Sequence, residues 1–207
     1  MTTYLDHAAT TPMREEARQA WLEASLLTGN ASSLHAAGRT ARRIVEESRE
    51  RIAASLRIRP SEVVFTSGGT EADNLAVKGI FWHERSRDPR RIGVVTSAVE
   101  HHAVLDPVVW LGKHEGARVD LLAVDDAGRV DLSSAEAALA RGDIALCSVM
   151  WANNEVGTIQ PVAEIAALCE QAGVPFHTDA VQALGQLPID LSMPGLSAVS
   201  LRGHPLG

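Results

Sequence analysis

The residues best suited to chemistry fall in a few short polar runs. Ser67-Gly-Gly-Thr70 places small residues and a hydroxyl just before a helical pattern, where backbone N–H groups can close around an anion such as a phosphate. The same run also suits a glycine turn capped by Thr70, and its spacing matches neither a P-loop nor a dinucleotide fingerprint. Asp179, with Gln182 three positions on, follows an apolar run. An aspartate there can cap a helix. Set opposite a pyridine nitrogen, it would favour the protonated ring and make that ring a better electron sink. His101 offers a flat ring that could lie on an aromatic cofactor, an acid/base group of a type that titrates near neutrality, or simply a helix cap. Asn153-Asn154-Glu155 is a polar turn supplying amide donors, and Tyr4-Leu-Asp6-His7 belongs to an arm ahead of the first helix.

Lysine chemistry has few candidates. Lys78 and Lys113 are the chain's two lysines, both in helical patterns where long cationic side chains are normally solvated. The last residues, Arg202-Gly203-His204-Pro205-Leu206-Gly207, contain none. Cys147 lies in an apolar run and Cys169 beside Ile165, Ala166 and Leu168 on a helical stretch. These are settings of packing thiols, not of a disulfide framework or an activated nucleophile.

The elements that must position these residues can be read from periodicity. Apolar and small residues at helical spacing predict a helix after Pro12 to about Leu27, and a second through about Leu56, closed by Pro60. Beyond it the chain alternates. Strands are predicted at 63–65, 93–96, 118–124, 144–150, 174–177 and 198–201, with helices at 71–83, 101–113, from Ser133, and at 161–171. Strands separated by helices imply crossover connections, hence an α/β fold with three α/β/α layers around a mostly parallel sheet. Ligands collect at the carboxyl ends of such strands. Five polar clusters follow strands in this reading, at Ser67–Thr70, Glu100-His101, Asn153–Glu155, Asp179–Gln182 and Arg202–His204, so one shared pocket is expected.

With 207 residues and a formal charge of -7, the chain fits one sizeable domain handling a small molecule. It argues against nucleic acid or an anionic membrane surface as partner. No basic segment followed by an apolar one opens the chain, and no apolar run reaches membrane-spanning length, so the cytoplasm is the expected location.

Taken together, Leu5-Asp-His-Ala-Ala-Thr-Thr-Pro12, Gly29-Asn-Ala-Ser-Ser-Leu-His35 with Gly38-Arg39, Thr66-Ser-Gly-Gly-Thr-Glu-Ala-Asp-Asn74, Glu100-His-His-Ala103, Asn153-Asn-Glu-Val-Gly157 and Asp179-Ala-Val-Gln182 resemble the cysteine desulfurases. These belong to the class V aminotransferase group of fold type I pyridoxal-phosphate enzymes. The resemblance runs from Leu5 to about Leu201. It implies pyridoxal 5′-phosphate as cofactor, L-cysteine as substrate, and conversion to L-alanine with the sulfur passed to an enzyme cysteine. By the same resemblance, Gly69 and Thr70 match positions holding the cofactor phosphate, His101 the imidazole stacked on the pyridine ring, and Asp179 the partner of the ring nitrogen. Gln182 matches a residue near the ring's phenolic oxygen, Asn154 an amide near substrate and cofactor, and His204 a phosphate-side contact.

The family pattern continues Ser-Gly-His-Lys, whose lysine holds the cofactor aldehyde as a Schiff base and moves the α-proton. Here the aligned residues are Arg202-Gly203-His204-Pro205, and proline has no primary amine. The family's catalytic cysteine lies in a later part, which Cys147 and Cys169 do not match. The expectation is therefore an incomplete cofactor-binding large domain over 1–207, with 1–30 as arm and first helix and without the small domain. Such a chain would be inactive by itself. A non-catalytic fragment or interaction protein, and a selenocysteine lyase or other class V enzyme, are the alternatives. The parent is expected to be a homodimer. Its sulfur acceptor stays open among iron–sulfur assembly, tRNA thiolation and DNA modification.

Overall fold

The computed structural model describes residues 3–203, so His204 and Pro205 lie outside the described residues. Among the described residues the chain divides into two compact units, one of residues up to Phe65 with Asp190–Ser192, the other of Thr66–Ile189 and 193–203.

In the first unit, α1 spans Glu15–Ser25 and α2 spans Ala36–Leu56. His35 caps α2, its Nδ1 accepting from the Gly38 N–H at 3.3 Å. A Cβ on Gly38 would collide with the Asn30 and Ser33 carbonyls, so this glycine permits the loop to close on the helix. The strand expected at 63–65 does not form. A single 3-10 turn at Pro60–Glu62 leads into an extended segment that pairs with no strand among the described residues. Side chains hold it instead: Arg49 donates to the Val63 carbonyl and lies 4.8 Å over the Phe65 ring.

The second unit carries the expected three layers. In chain order it contains α3 (Gly69–Arg87), β1 (Gly93–Ser97), α4 (His102–His114), β2 (Arg118–Leu122), α5 (Leu132–Leu139), β3 (Ile144–Ser148), α6 (Val162–Ala172), β4 (Phe176–Asp179) and β5 (Leu196–Ser200). All strand pairs are parallel, in the order β2-β1-β3-β4-β5. β1, β3 and β4 are buried along their whole length, which explains their unbroken apolar character, whereas β2 and β5 are edges. The expected boundaries shift by a few residues, most at α3, which starts two residues earlier and runs four longer.

The chain leaves β1 toward β2 and returns past β1 to β3, so its crossovers must change face. Accordingly α3 and α4 pack together on one side of the sheet, and α5 with α6 on the other. Val77, Phe81, Val94, Val104, Val108, Leu111, Ala145 and Leu146 form the core beneath α3 and α4. Each fully buried side chain of this size contributes about 1.5–3 kcal/mol of transfer free energy. Gly195 fixes the opposite contact at the start of β5. Its φ is +84°, and a Cβ there would run into the Ala166 carbonyl of α6.

Gly195→Ala should therefore cost roughly 3 kcal/mol or more in urea denaturation, because backbone strain and backbone collision add. Gly142→Ala, at φ +74° with open space around it, should cost only about 1–2 kcal/mol. Equal losses at both positions would contradict this packing.

Candidate functional site

β1 and β3 are neighbours in the sheet, but the chain departs from them in opposite directions, which opens a crevice at their carboxyl ends. Glu100 spans it. Its Oε1 accepts from Ser97 Oγ at 2.6 Å and from the Met150 N–H at 2.9 Å, although the side chain is buried and Oε2 has no hydrogen-bond partner among the described residues. Burial pushes its carboxyl up to about 8, against the pull of those two donors.

The next residue, His101, is the N-cap of α4, with Nδ1 accepting from the Ala103 N–H at 3.1 Å. Its ring is otherwise exposed at the same end of the sheet. The capping reading and the ring-presenting reading of this histidine thus describe one geometry. Asn153 ties the loop after β3 to the loop after β1, its Nδ2 donating to the Val99 carbonyl at 2.9 Å while Oδ1 accepts from the Glu155 and Val156 N–H groups. Asn154 is half-buried, and its side chain has no hydrogen-bond partner among the described residues.

Asp179 is the last residue of β4, whereas the strand expected at 174–177 would have left it beyond the strand's end. Its Oδ1 accepts from the Val181 N–H at 2.9 Å. Burial raises its carboxyl, and the Val181 N–H and nearby His101 draw it back. Gln182 follows, half-buried. A Cβ on Gly69 would stand 3.1 Å from Val181 Cγ2, which places the start of α3 against this loop.

That helix start has no side-chain cap. Ala72 donates to the Gly68 carbonyl, so the N–H groups of Gly69 and Thr70 precede the first intrahelical bond. Glu71 turns back to accept from the Ser67 N–H at 2.6 Å and the Ser67 hydroxyl at 2.5 Å, and these donors hold its carboxyl low. Gly69, Thr70, His101, Asn154, Asp179 and Gln182 therefore share the carboxyl end of one sheet. Gly68 sits in extended backbone, so the loop carries no strain there.

Beneath this surface is a polar layer that the sequence reading passed over. His177 is fully buried between three strands and α3. Its Nδ1 is 2.8 Å from Ser148 Oγ and its Nε2 3.0 Å from Ser200 Oγ. Asp73 Oδ1 lies 3.6 Å from Nε2, too far for a hydrogen bond. Burial lowers His177 to about 4, keeping the ring neutral at pH 7, and burial together with the Asp179 charge raises Asp73 to about 7. A signal was present: Gly69, Asp73, Val77 and Phe81 follow one another at intervals of four, so Asp73 stands on the stripe that α3 buries.

The two lysines and two cysteines stay outside this region's chemistry. Lys78 Nζ lies 4.3 Å over the Trp110 ring, and Lys113 is exposed near the end of α4. Cys147 and Cys169 are buried, and a hydrogen bond between them, with burial, pushes the Cys147 thiol well up and away from reactivity.

The class-V aminotransferase family model matches residues 3–206. The chain belongs to that family. An IscS-like cysteine desulfurase of Mycobacterium tuberculosis is 57% identical over 99% of this chain and 52% of its own length. A putative cysteine desulfurase, IscS 1 of Bacillus subtilis, is 44% identical over 98% of this chain and 52% of its own. A solved NifS-like protein superposes with a TM-score of 0.92 at 33% identity, covering 99% of this chain and 56% of the other. DndA from Streptomyces lividans does so with a TM-score of 0.80 at 40% identity, covering 99% and 56%. The chain spans about half the length of the curated relatives it matches. These neighbours carry the fold type I architecture, which the parallel sheet described above shares. No helix among the described residues is long and apolar enough to cross a membrane.

The buried acids make stability depend on pH in a defined sense. Glu100 rises from an ordinary 4.5 to about 8 and Asp73 from 3.8 to about 7. The folded chain thus holds protons that the unfolded chain has released, and stability falls as pH rises through this range. His177, lowered from 6.5 to about 4, opposes that trend between those values and adds nothing above them. The fall should be steepest between pH 6.5 and 8, at about 1 kcal/mol per pH unit in urea denaturation. Glu100→Gln keeps an acceptor for Ser97 and Met150 and should flatten it. A wild-type stability that is level from pH 6.5 to 8 would contradict the assignment.

Proposed function

We propose that this end of the sheet is a cradle for pyridoxal 5′-phosphate and that the protein descends from cysteine desulfurases acting on L-cysteine. The observation that carries the reading is the juxtaposition of an uncapped helix N-terminus with a buried aspartate and an exposed imidazole ring, all belonging to the unit that the family comparison covers. The donor set fits the cofactor in kind. Bound there, pyridoxal 5′-phosphate supplies an electron sink for negative charge developing at the α-carbon of an amino acid.

The chain's own residues divide that task. The Gly69 and Thr70 N–H groups, with the Thr70 hydroxyl, hold the phosphate at the positive end of α3. Asp179 pairs with the ring nitrogen and holds a proton on it. His101, fixed by its capping bond, covers the ring face, and Gln182 and Asn154 donate to oxygens of cofactor and substrate. His204 joins the phosphate side. L-cysteine as substrate rests on the desulfurase relatives, one solved neighbour being SspA in complex with cysteine. Transfer of the sulfur to an enzyme cysteine, a homodimeric parent and a cytoplasmic location belong to the same reading.

Proline at position 205 withholds a primary amine where the family pattern has lysine. The chain as it stands therefore reads as a cofactor-binding module that does not turn over cysteine.

Titration with pyridoxal 5′-phosphate, followed by absorbance, should show saturable binding. Asp179→Ala should weaken it roughly ten- to hundredfold, the scale of a lost charged hydrogen bond. Removing the phosphate from the ligand should weaken it similarly. Sulfide release from L-cysteine should be absent from this chain and should appear on Pro205→Lys when the chain is joined to the C-terminal half of the Mycobacterium tuberculosis relative. Binding that is indifferent to Asp179 and to the phosphate would refute the cradle.

A further inference from the structure

Two buried carboxyls lie at the α3–β4 contact, Asp73 reaching within 3.6 Å of His177 and Asp179 standing two residues beyond His177 on the same face of β4, and their surroundings differ. Asp179 Oδ1 accepts a backbone N–H from Val181, and the side chain has His101 nearby. Asp73, one helical turn below Gly69, has an Oδ1 that is buried without a hydrogen-bond partner among the described residues, and the Ser200 hydroxyl, which also meets His177, is the donor that lowers its proton affinity. Its nearest cationic candidate, His177, is kept neutral by complete burial, its two ring nitrogens meeting only the hydroxyls of Ser148 and Ser200 and no carboxylate within hydrogen-bond distance. Glu100 is the remaining titratable group of this layer, and it too is buried. A second negative charge in this layer, without a compensating cation among the described residues, is costly and forms only as pH rises.

We propose that Asp73 is a positioning residue for Asp179: it carries the one proton that the buried pair shares, leaving the negative charge on the member that faces the site. A carboxylate keeps its charge where donors point at it and loses it where an oxygen is orphaned. The asymmetry of donors therefore decides which of the two is the anion. The consequence, which rests on Asp179 being the partner of the cofactor's ring nitrogen, is that the charge offered to that nitrogen is a single one below the Asp73 transition and a double one above it.

The pair's proton count can be read without any cofactor. In the full chain labelled with 13C at aspartate carboxyls, NMR titration should give two raised transitions, the lower at Asp179 and the upper at Asp73. Asp73→Asn should remove the upper and leave the lower in place. Asp179→Asn should move the Asp73 transition down by roughly one pH unit or more, since the like charge is gone. Circular dichroism confirms that each variant is folded, and the Asp73→Asn arm decides the matter alone if the other variant does not fold. Loss of the lower transition in Asp73→Asn, or a 15N shift showing His177 cationic at pH 7, would overturn the proposal. So would an upper transition that stays put in Asp179→Asn.

Pyridoxine 5′-phosphate, which has no aldehyde and needs no amine, separates this inference from the reading of the site. Its affinity for wild type relative to Asp73→Asn should rise about threefold or more between pH 6 and 8.5, as the second charge develops. A constant ratio with measurable binding overturns the proposed action of Asp73 on the ring nitrogen. No binding to either protein, with the NMR pattern as expected, refutes the cofactor cradle and leaves the proton assignment standing.

Discussion

The second unit depends on a carboxyl group buried where its sheet would otherwise come apart. The ladder between β1 and β3 ends at Thr96 and Ser148, and beyond that pair the two chains diverge toward different faces. Glu100 replaces the missing ladder with its side chain, taking a hydroxyl from the β1 end and a backbone N–H from the chain just past β3. A glutamate in this position can satisfy two donors with one oxygen and reach across a gap that a backbone carbonyl could not. Its desolvation is the cost, and a raised proton affinity is how that cost is met. His101 follows directly in the chain, so the Glu100 bonds fix its backbone position while its own capping bond to the Ala103 N–H sets the direction of its ring.

Local capping rules and site geometry coincide throughout this region. Asp179 receives the N–H two residues on, an arrangement common to any aspartate that opens a turn. Asn153 does the same for Glu155 and Val156 while its amide holds the neighbouring loop. In each case the local hydrogen bond removes rotamer freedom from a side chain at the carboxyl end of the sheet. A polar group fixed in this manner needs no reorganisation when a ligand arrives.

Much of this was legible in the sequence because the core strands and the site follow strong local rules. β1, β3 and β4 are buried on both faces and read as apolar runs, and the polar turns after them mark the ligand end. Two departures have opposite sources. Val63–Phe65 has the composition of a strand, but composition cannot show whether a neighbour is available to pair with it, and an arginine holds the segment instead. Asp73 and His177 were passed over for the converse reason. Each is a polar residue inside an apolar pattern, and its partners, Ser148 and Ser200, come from strands 29 and 23 residues from His177. The stripe at Gly69, Asp73, Val77 and Phe81 announces that a carboxyl is buried, but only the fold shows what surrounds it.

The start of α3 also carries a constraint on what can bind. Glu71 lies in the first turn, where a carboxylate suits the helix dipole, yet it would repel an incoming anion. The structure relieves the conflict by turning that carboxylate toward Ser67, so it consumes the donors of the loop and leaves those of the helix. No basic side chain bonds to this helix start among the described residues, and the chain as a whole is acidic. An anion seated there would be held by directed N–H groups and the helix dipole, not by a net positive field. Such a site discriminates by shape and by the number of acceptor oxygens. A tetrahedral phosphate can meet several diverging N–H groups at once, whereas a planar carboxylate, Glu71 included, satisfies fewer of them, and this difference would let one helix start tolerate its own acid and still favour the phosphate proposed for it.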